Sequence, residues 1–186
     1  MRLSAAIVVG FTVMLLLSSV AFAVPPGEGT HRSPVPFDRT VRLGMTTAGT
    51  AEAGAAGYVI PRAEVFFSQY RYVVGYEGIT TLVDELNRAG TARQFGRPLV
   101  VYVTDFSGTD PSLTERGYLT MDPGGMDRWT PARDAHFLVG SRARTPGGPA
   151  VLPFSRRADA TAVAQRIGGR VVDWETLRSR SFGTGA

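Results

Sequence analysis

The chain of 186 residues contains no cysteine and no lysine. Without cysteine the protein has no disulfide, no thiolate metal ligand and no cysteine nucleophile. Every basic residue is an arginine, and the arginines are scattered, often next to an acid as at Arg133-Asp134. Scattered charge without an aromatic platform is not the pattern of a nucleic-acid interface, so we expect no nucleic-acid partner.

Histidine is scarce as well, and its two copies limit what catalysis is open to the chain. His31 lies in a proline-rich segment, and only His136 falls in a predicted element. Serines such as Ser141 and Ser155 lack a nucleophile-elbow context, and nothing in the pattern orients His136 as a base. We therefore predict that the protein is not an enzyme.

The N-terminal residues have the pattern of a targeting segment. Arg2 precedes an apolar core, and Ala21-Phe22-Ala23 forms a small-x-small cleavage site, so residues 1–23 are predicted to be a signal peptide. Because the stretch from Leu3 to Val24 carries no charge, an uncleaved anchor that attaches the protein to a membrane is the alternative. In both cases the rest of the chain is predicted to be extracytoplasmic, either secreted or membrane-anchored.

Composition and periodicity divide the first half of the remaining chain. Residues 24–40, rich in proline, are predicted to be a flexible linker, and residues 46–57, rich in Thr, Ala and Gly, to be a loop. Apolar patterns then predict strands at Tyr58–Ile60, Glu64–Ser68 and Tyr70–Val74, a helix at Glu77–Leu86 and a strand at Leu99–Phe106. Because Leu99–Thr104 is almost continuously apolar, we expect that run to be covered on both faces.

The second half has a similar order of elements. Strands are predicted at Ala135–Val139, Ala150–Phe154 and Arg170–Val172. An amphipathic helix precedes the last strand; we expect the hydroxyl of Ser155 to cap its start, and Gly168-Gly169 to end it. The residues expected in the core are Val101, Val103, Phe137 and Val139.

Together these elements predict an α+β fold, a tandem of two small ββαβ modules after an N-terminal signal or anchor segment. The first module is assigned to residues 41–106 and the second to residues 131–178. A long loop at residues 107–130 separates them, and residues 179–186 are predicted to be a disordered tail.

The C-terminal half resembles the NosL family, accessory lipoproteins of nitrous oxide reductase that carry copper. The residues that carry the resemblance, in order and with approximate spacing, are Val139-Gly140-Ser141, Pro153-Phe154-Ser155-Arg156, Asp159-Ala160 and Gly168-Gly169. The family's loop methionine is missing, since this chain has Pro146-Gly147-Gly148-Pro149 there. The resemblance implies the tandem ββαβ fold, and the lack of cysteine excludes the lipid-modified cysteine with which most family members are anchored.

The resemblance also implies a place for copper. Family members bind Cu(I) near an N-terminal C-x-x-C-G-M, and this chain keeps Gly44-Met45 but has Thr40 and Leu43 in place of the cysteines. Cu(I) prefers thiolate, thioether or imidazole ligands. The soft donors expected in the folded region are Met45, Met126, Met121 and His136. For each of them the alternative is an ordinary packing or loop residue.

What the resemblance implies about function is a metallochaperone, that is, a copper carrier or scaffold that supports maturation of nitrous oxide reductase or a related copper enzyme. Its partners would be that enzyme or a component of copper transport, with membrane contact through the N-terminal segment if it is uncleaved. The alternative is a copper-silent relative that acts as an extracytoplasmic partner-binding domain.

Two further groups of residues leave alternatives open. Four acids lie in or beside the long loop: Asp105, Asp110, Asp122 and Asp127. The two alternatives for them are ligands of a hard cation and ordinary residues of a solvated loop. Their spacing matches no EF-hand. Trp129 and Trp174 are expected to be packing anchors.

Overall fold

The computed structural model describes residues 32–44, 47–121 and 126–182, and those from Pro34 onward belong to one compact unit. The predicted signal or anchor segment, residues 1–23, lies outside the described residues. Among the helices of the described part, none has the length and apolar character that crossing a membrane requires.

Short helices and strands alternate along this unit. The α-helices are α1 (Thr47–Ala55), α2 (Ile79–Asn87), α3 (Thr91–Phe95), α4 (Arg157–Ile167) and α5 (Trp174–Arg178). The strands are β1 (Val41–Leu43), β2 (Arg62–Phe67), β3 (Val74–Glu77), β4 (Pro98–Thr104), β5 (Ser112–Leu113), β6 (Leu119–Thr120), β7 (Trp129–Pro131), β8 (His136–Val139), β9 (Arg144–Thr145), β10 (Gly148–Pro149), β11 (Leu152–Phe154) and β12 (Arg170–Val172). Single 3₁₀ turns occupy Phe37–Arg39 and Ala132–Asp134.

The two main sheets share one topology. In the first, β2 lies between β3 and β4 and is antiparallel to both, and α2 connects β3 to β4. In the second, β8 lies between β11 and β12 and is antiparallel to both, and α4 connects β11 to β12. Each is a ββαβ unit with its first strand in the middle, which confirms the predicted α+β tandem. The first sheet is extended by β1, parallel to β3, and by β7, antiparallel to β4.

Among the described residues the core consists of two apolar clusters, and β8 contributes to both. Phe137 and Val139 belong to the first cluster, which covers one face of the first sheet together with α2 and α5. Leu138, between them in sequence, belongs to the second cluster, which also contains Phe154 and the buried face of α4. Because side chains alternate along a strand, the second sheet is a layer with apolar residues on both sides.

One predicted loop is a helix. Thr47–Ala55 was expected to be irregular because glycine and threonine disfavour helices, yet it forms α1. Packing overrides this weak preference: Ala53 is buried, and the Thr50 hydroxyl donates to Oε2 of Glu77 at 2.5 Å. Tertiary contacts therefore decide the state of this segment.

Two predicted strands of the first half are displaced. Tyr58–Ile60 is not a strand but a mostly buried segment whose Val59 N–H donates to the carbonyl of Leu119 at 2.8 Å. The strand expected at Tyr70–Val74 instead starts at Val74 and runs to Glu77, as β3. Glu77 is therefore a strand residue, and Gly78, with φ of 109°, turns the chain into α2.

The prediction that Leu99–Thr104 is covered on both faces is wrong for its first half. Val103 is fully buried, but Leu99 is 37% exposed, and Val101 is only partly buried against the first cluster. Phe66 pairs with Val100 and Phe67 with Pro98, so Leu99 is the extra residue of a β-bulge. Phe137 and Val139 are buried as predicted.

The predicted linker and tail are shorter than expected where the structure describes them. Val35, Phe37 and Thr40 all contact the first sheet, so residues 34–40 are not a free linker. At the other end, Phe182 packs against the first cluster, and its N–H donates to Oδ1 of Asp84 at 2.8 Å. The predicted long loop contains the β5–β6 hairpin and the first residues of β7.

Candidate functional site

Three of the four predicted soft donors fall in the described part of the chain, and all three lie on the side of the second cluster. Met121 and Met126 are partly buried and pack against that cluster. His136 begins β8, and its position two residues before Leu138 puts it on the same face of the sheet. Its partner across the ladder is Phe154, another member of the cluster.

The imidazole of His136 has an unused nitrogen. Its Nδ1 is buried and has no hydrogen-bond partner among the described residues. A buried polar atom without a partner is uncommon, because leaving it unpaired costs about 1–3 kcal/mol. A metal ion is one of the groups that an imidazole nitrogen binds.

Met45 lies outside the described residues, but the glycine before it is described. Gly44 has φ of 118°, and a Cβ there would come within 2.8 Å of the Glu77 carbonyl oxygen. This position therefore requires glycine for conformation and for close approach to β3. The backbone conformation thus explains the glycine of the Gly44-Met45 pair without a bound metal.

The donor set selects among metals. Within the described ranges no group of three or more His, Cys, Asp or Glu side chains is arranged to hold a metal ion. The donors near the second cluster are two thioethers and an imidazole, which suit Cu(I) and do not suit Ca²⁺ or Mg²⁺. By residue type, these donors therefore suit a soft monovalent cation.

Asp105, one of the four acids considered for a hard cation, is neither solvated nor free. Its Oδ1 accepts hydrogen bonds from the N–H groups of Ser107 (2.8 Å) and Ser155 (2.9 Å), and its Oδ2 accepts one from the Ser155 hydroxyl (2.7 Å). Burial raises the pKa of Asp105, but the hydrogen bonds from Ser155 and Ser107 outweigh it and lower the pKa below its ordinary value. This carboxylate joins the end of β4 to the turn between β11 and α4.

The predicted capping of α4 by Ser155 is wrong. The helix begins at Arg157, Arg156 is the N-cap residue, and no side chain caps it. The Ser155 hydroxyl is instead used by Asp105, and the N–H of Arg156 donates to Oγ of Ser107 at 2.9 Å. The sequence signal was a serine near a helix start, and the competing acceptor is 50 residues away in sequence.

The surroundings of the other described acids of this region are explained without a bound cation. Asp110 forms an ion pair with Arg166, and Asp127 is exposed. Asp122 lies outside the described residues. Trp174 is buried with its ring 5.7 Å from that of Phe137, as expected of a packing anchor.

A buried acid in the first sheet was missed by the sequence analysis. Glu64 on β2 is fully buried, and its Oε2 accepts the N–H of Val35 at 3.0 Å. Its Oε1 is buried with no hydrogen-bond partner among the described residues. Burial raises the pKa of Glu64 to about 7 and outweighs the Val35 hydrogen bond, which lowers it. The only signal in the sequence was a glutamate within an apolar strand. The alternation of side chains along a strand predicts that this glutamate faces solvent.

Comparison with models of protein families covers most of the described chain. A family model described as NosL matches residues 55–182. Met121, Met126 and His136 lie inside the matched range, and Met45 precedes it.

Curated and solved relatives have the same description. The copper-binding lipoprotein NosL of Achromobacter cycloclastes is 32% identical over 111 residues, which is 59% of this chain and 47% of the relative. The chain thus spans about half the length of that relative. The crystal structure of the copper chaperone NosL from Shewanella denitrificans aligns with a TM-score of 0.51 and 21% identity, over 64% of this chain and 79% of that one. That likeness is one of fold.

A solution structure of apo-NosL from Achromobacter cycloclastes aligns with a TM-score of 0.39 and 26% identity, over 61% of this chain and 82% of that one.

Proposed function

The chain belongs to the NosL family, and on that premise we propose that it is an extracytoplasmic copper carrier that supports maturation of nitrous oxide reductase or a related copper enzyme. The family is one of copper chaperones and accessory proteins, so the chain is not an enzyme. The proposal is supported by the packing of Met121 and Met126 against the second cluster, and by the pairing of His136 with Phe154 of that cluster, within the matched range.

Copper is the cargo in this proposal, and the chain's own residues supply its ligands. Met126 and Met121 provide thioethers, His136 provides the unpartnered Nδ1, and Met45 is a further candidate from the chain that follows β1. Without a thiolate the site binds Cu(I) less tightly than a cysteine site. Weak binding by neutral ligands suits a protein that passes its copper on to a client.

The location of the protein follows from a different part of the chain. The Achromobacter relative is named a lipoprotein, but this chain has no cysteine to carry a lipid. We propose that residues 1–23 export the folded unit and either are removed or remain as the anchor. The partner is then a copper enzyme or a copper transport component on the same side of the membrane.

The second candidate is a copper-silent relative that binds a partner through the same scaffold. It is favoured by the missing cysteines and by the loop at residues 144–149, where the strands β9 and β10 form a tight hairpin without methionine. In this reading Met121 and Met126 are packing residues of the second cluster.

An anaerobic titration of the whole protein with Cu(I) against a competing chelator separates the two candidates. The carrier binds copper, and Met126→Leu, which keeps the side-chain volume and removes the sulfur, weakens binding about tenfold or more (roughly 1.4 kcal/mol). His136→Gln acts in the same direction, and His31→Gln is the matched control with no change.

The possible results have distinct meanings. A wild-type protein that takes up no Cu(I) supports the copper-silent reading. A protein that binds copper, with no change in Met121→Leu, Met126→Leu or His136→Gln, contradicts the assignment of these ligands. A nitrous oxide reductase or copper transporter gene next to this one would favour the proposed client.

A further inference from the structure

Residues 34–40, here called the strap, lie across the outer face of the first sheet. The N–H of Val35 donates to Glu64, and the ring of Phe37 stacks with Trp129 at 6.3 Å between centroids. The guanidinium carbon of Arg62 lies 4.8 Å from the centre of the Phe37 ring. Thr40 lies so close over β3 that a Cβ at Gly75 would overlap its hydroxyl.

Glu64 is the acid beneath the strap. It pairs with Gly75 on one side and Tyr102 on the other, so its side chain projects from the face that the strap covers. The side chain is fully buried, and one of its two oxygens has no donor from any described residue. A neutral carboxyl tolerates such a place far better than a carboxylate, which loses its hydration.

The charged groups on that face do not remove the cost of ionisation. By register, Arg62 of β2, Arg42 of β1 and Glu77 of β3 share the face with Glu64, and the phenol of Tyr102 comes from β4. The strap brings Asp38 and Arg39, both exposed. Arg62 lies over Phe37, and Glu77 is itself a buried acid bonded to Thr50. Burial remains the largest influence on the pKa of Glu64, which it raises to about 7.

We propose that protonation of Glu64 controls the strap, which is docked when the carboxyl is neutral and released when it is ionised. Release lets water reach both oxygens of the carboxylate, and this hydration compensates for the lost strap contacts. It also uncovers the outer face beside Trp129. The seven released residues add about 24 Å of extended chain before β1.

Backbone amide exchange across a pH series tests the proposal directly. We expect the protection of the strap amides from Val35 to Thr40, corrected for intrinsic exchange, to fall tenfold or more between pH 5.5 and 8.5. The amides of β2 and β4 serve as the internal control and keep their protection. Quenching or recovery of Trp129 fluorescence gives a second readout, because Phe37 stacks on that indole in the docked state.

Variants separate the role of Glu64 from general effects of pH. Glu64→Gln is neutral at every pH, so its strap amides stay protected at pH 8.5, whereas Glu52→Gln, an exposed acid on α1, behaves as wild type. Equal strap protection at both pH values in the wild type overturns the proposal. So does a Glu64→Gln variant that loses protection in parallel with the wild type.

Discussion

Two buried carboxylates of this protein have pKa values shifted in opposite directions, and the number of donors around each explains why. Asp105 accepts bonds from two backbone N–H groups and a hydroxyl, and these lower its pKa despite burial. Glu64 accepts one, and burial raises its pKa to about 7. Charge in the interior is therefore stabilised at the joint between the modules and destabilised beneath the strap.

The stability of the fold should fall as pH rises through the range in which Glu64 ionises. The folded pKa is raised above the ordinary 4.5, so the folded state binds the proton more tightly than the unfolded state. The contribution is fully present below about pH 4.5 and is lost by about pH 7, amounting to about 3 kcal/mol at most. Urea unfolding at several pH values measures it, and Glu64→Gln should remove this part of the slope.

Ser155 and Asp105 should be energetically coupled. Ser155→Ala removes one donor to a buried carboxylate and should cost about 1 kcal/mol, while Asp105→Asn should cost about 2 kcal/mol. In the Asp105→Asn background, Ser155→Ala should cost at least about 0.5 kcal/mol less than in the wild type. Additive costs in a double-mutant cycle would contradict the hydrogen bond between Ser155 and Asp105.

At the scale of elements, contacts with neighbouring strands hold the short helical segments of this protein in place. The strap has one 3₁₀ turn, and α1 has a sequence that weakly disfavours helix, yet both are fixed by contacts with β2 and β3. At Gly75 the strap approaches β3 so closely that an added Cβ would overlap Thr40 and Phe37.

Gly75→Ala should therefore displace the strap. The added Cβ would lie 2.1 Å from Oγ1 of Thr40 and 2.8 Å from Phe37, so those residues must move, at a cost of about 1–3 kcal/mol. The free energy of unfolding and faster amide exchange at residues 35–41 measure the effect. Gly54→Ala, with nothing within 4 Å of the new Cβ, is the matched control and should be neutral or slightly stabilising. A stable, fully protected Gly75→Ala variant would contradict the close approach.

At the scale of the whole molecule, the two ββαβ units share a layer. Strand β8 supplies Phe137 and Val139 to one cluster and Leu138 to the other, and Asp105 ties β4 to the turn before α4. The proposed copper ligands border the second cluster, so binding there should stabilise the assembled fold and not one element alone.

Cu(I) should raise the thermal stability of the folded protein. At a free concentration 100 times the Kd, binding to the native state adds about 2.7 kcal/mol. Calorimetry under reducing, anaerobic conditions should show the shift, which should disappear in a Met126→Leu, His136→Gln double variant. Ca²⁺ or Mg²⁺ at the same ratio should leave the transition unchanged, because thioether and imidazole are poor ligands for hard cations. A shift that survives in the double variant would place the copper elsewhere.

The sequence by itself determined the elements whose patterns are long and local. The apolar run of β4, the spacing in α2 and α4, the stop at Gly168-Gly169 and the ordered matches around Ser155 were enough for the α+β tandem and the family. Soft donors are also read directly, since residue type decides which metals a side chain prefers.

Tertiary structure decided what depends on neighbours far apart in sequence. Thr47–Ala55 is helical because Thr50 donates a hydrogen bond to Glu77 and Ala53 is buried. Ser155 donates to an acid 50 residues away instead of capping its helix. Glu64 looks like an outward-facing strand residue until the strap, 29 residues earlier, covers it. Periodicity encodes which face of an element is apolar, but the partner that covers the other face comes from distant chain, and that partner fixes hydrogen bonding, burial and charge.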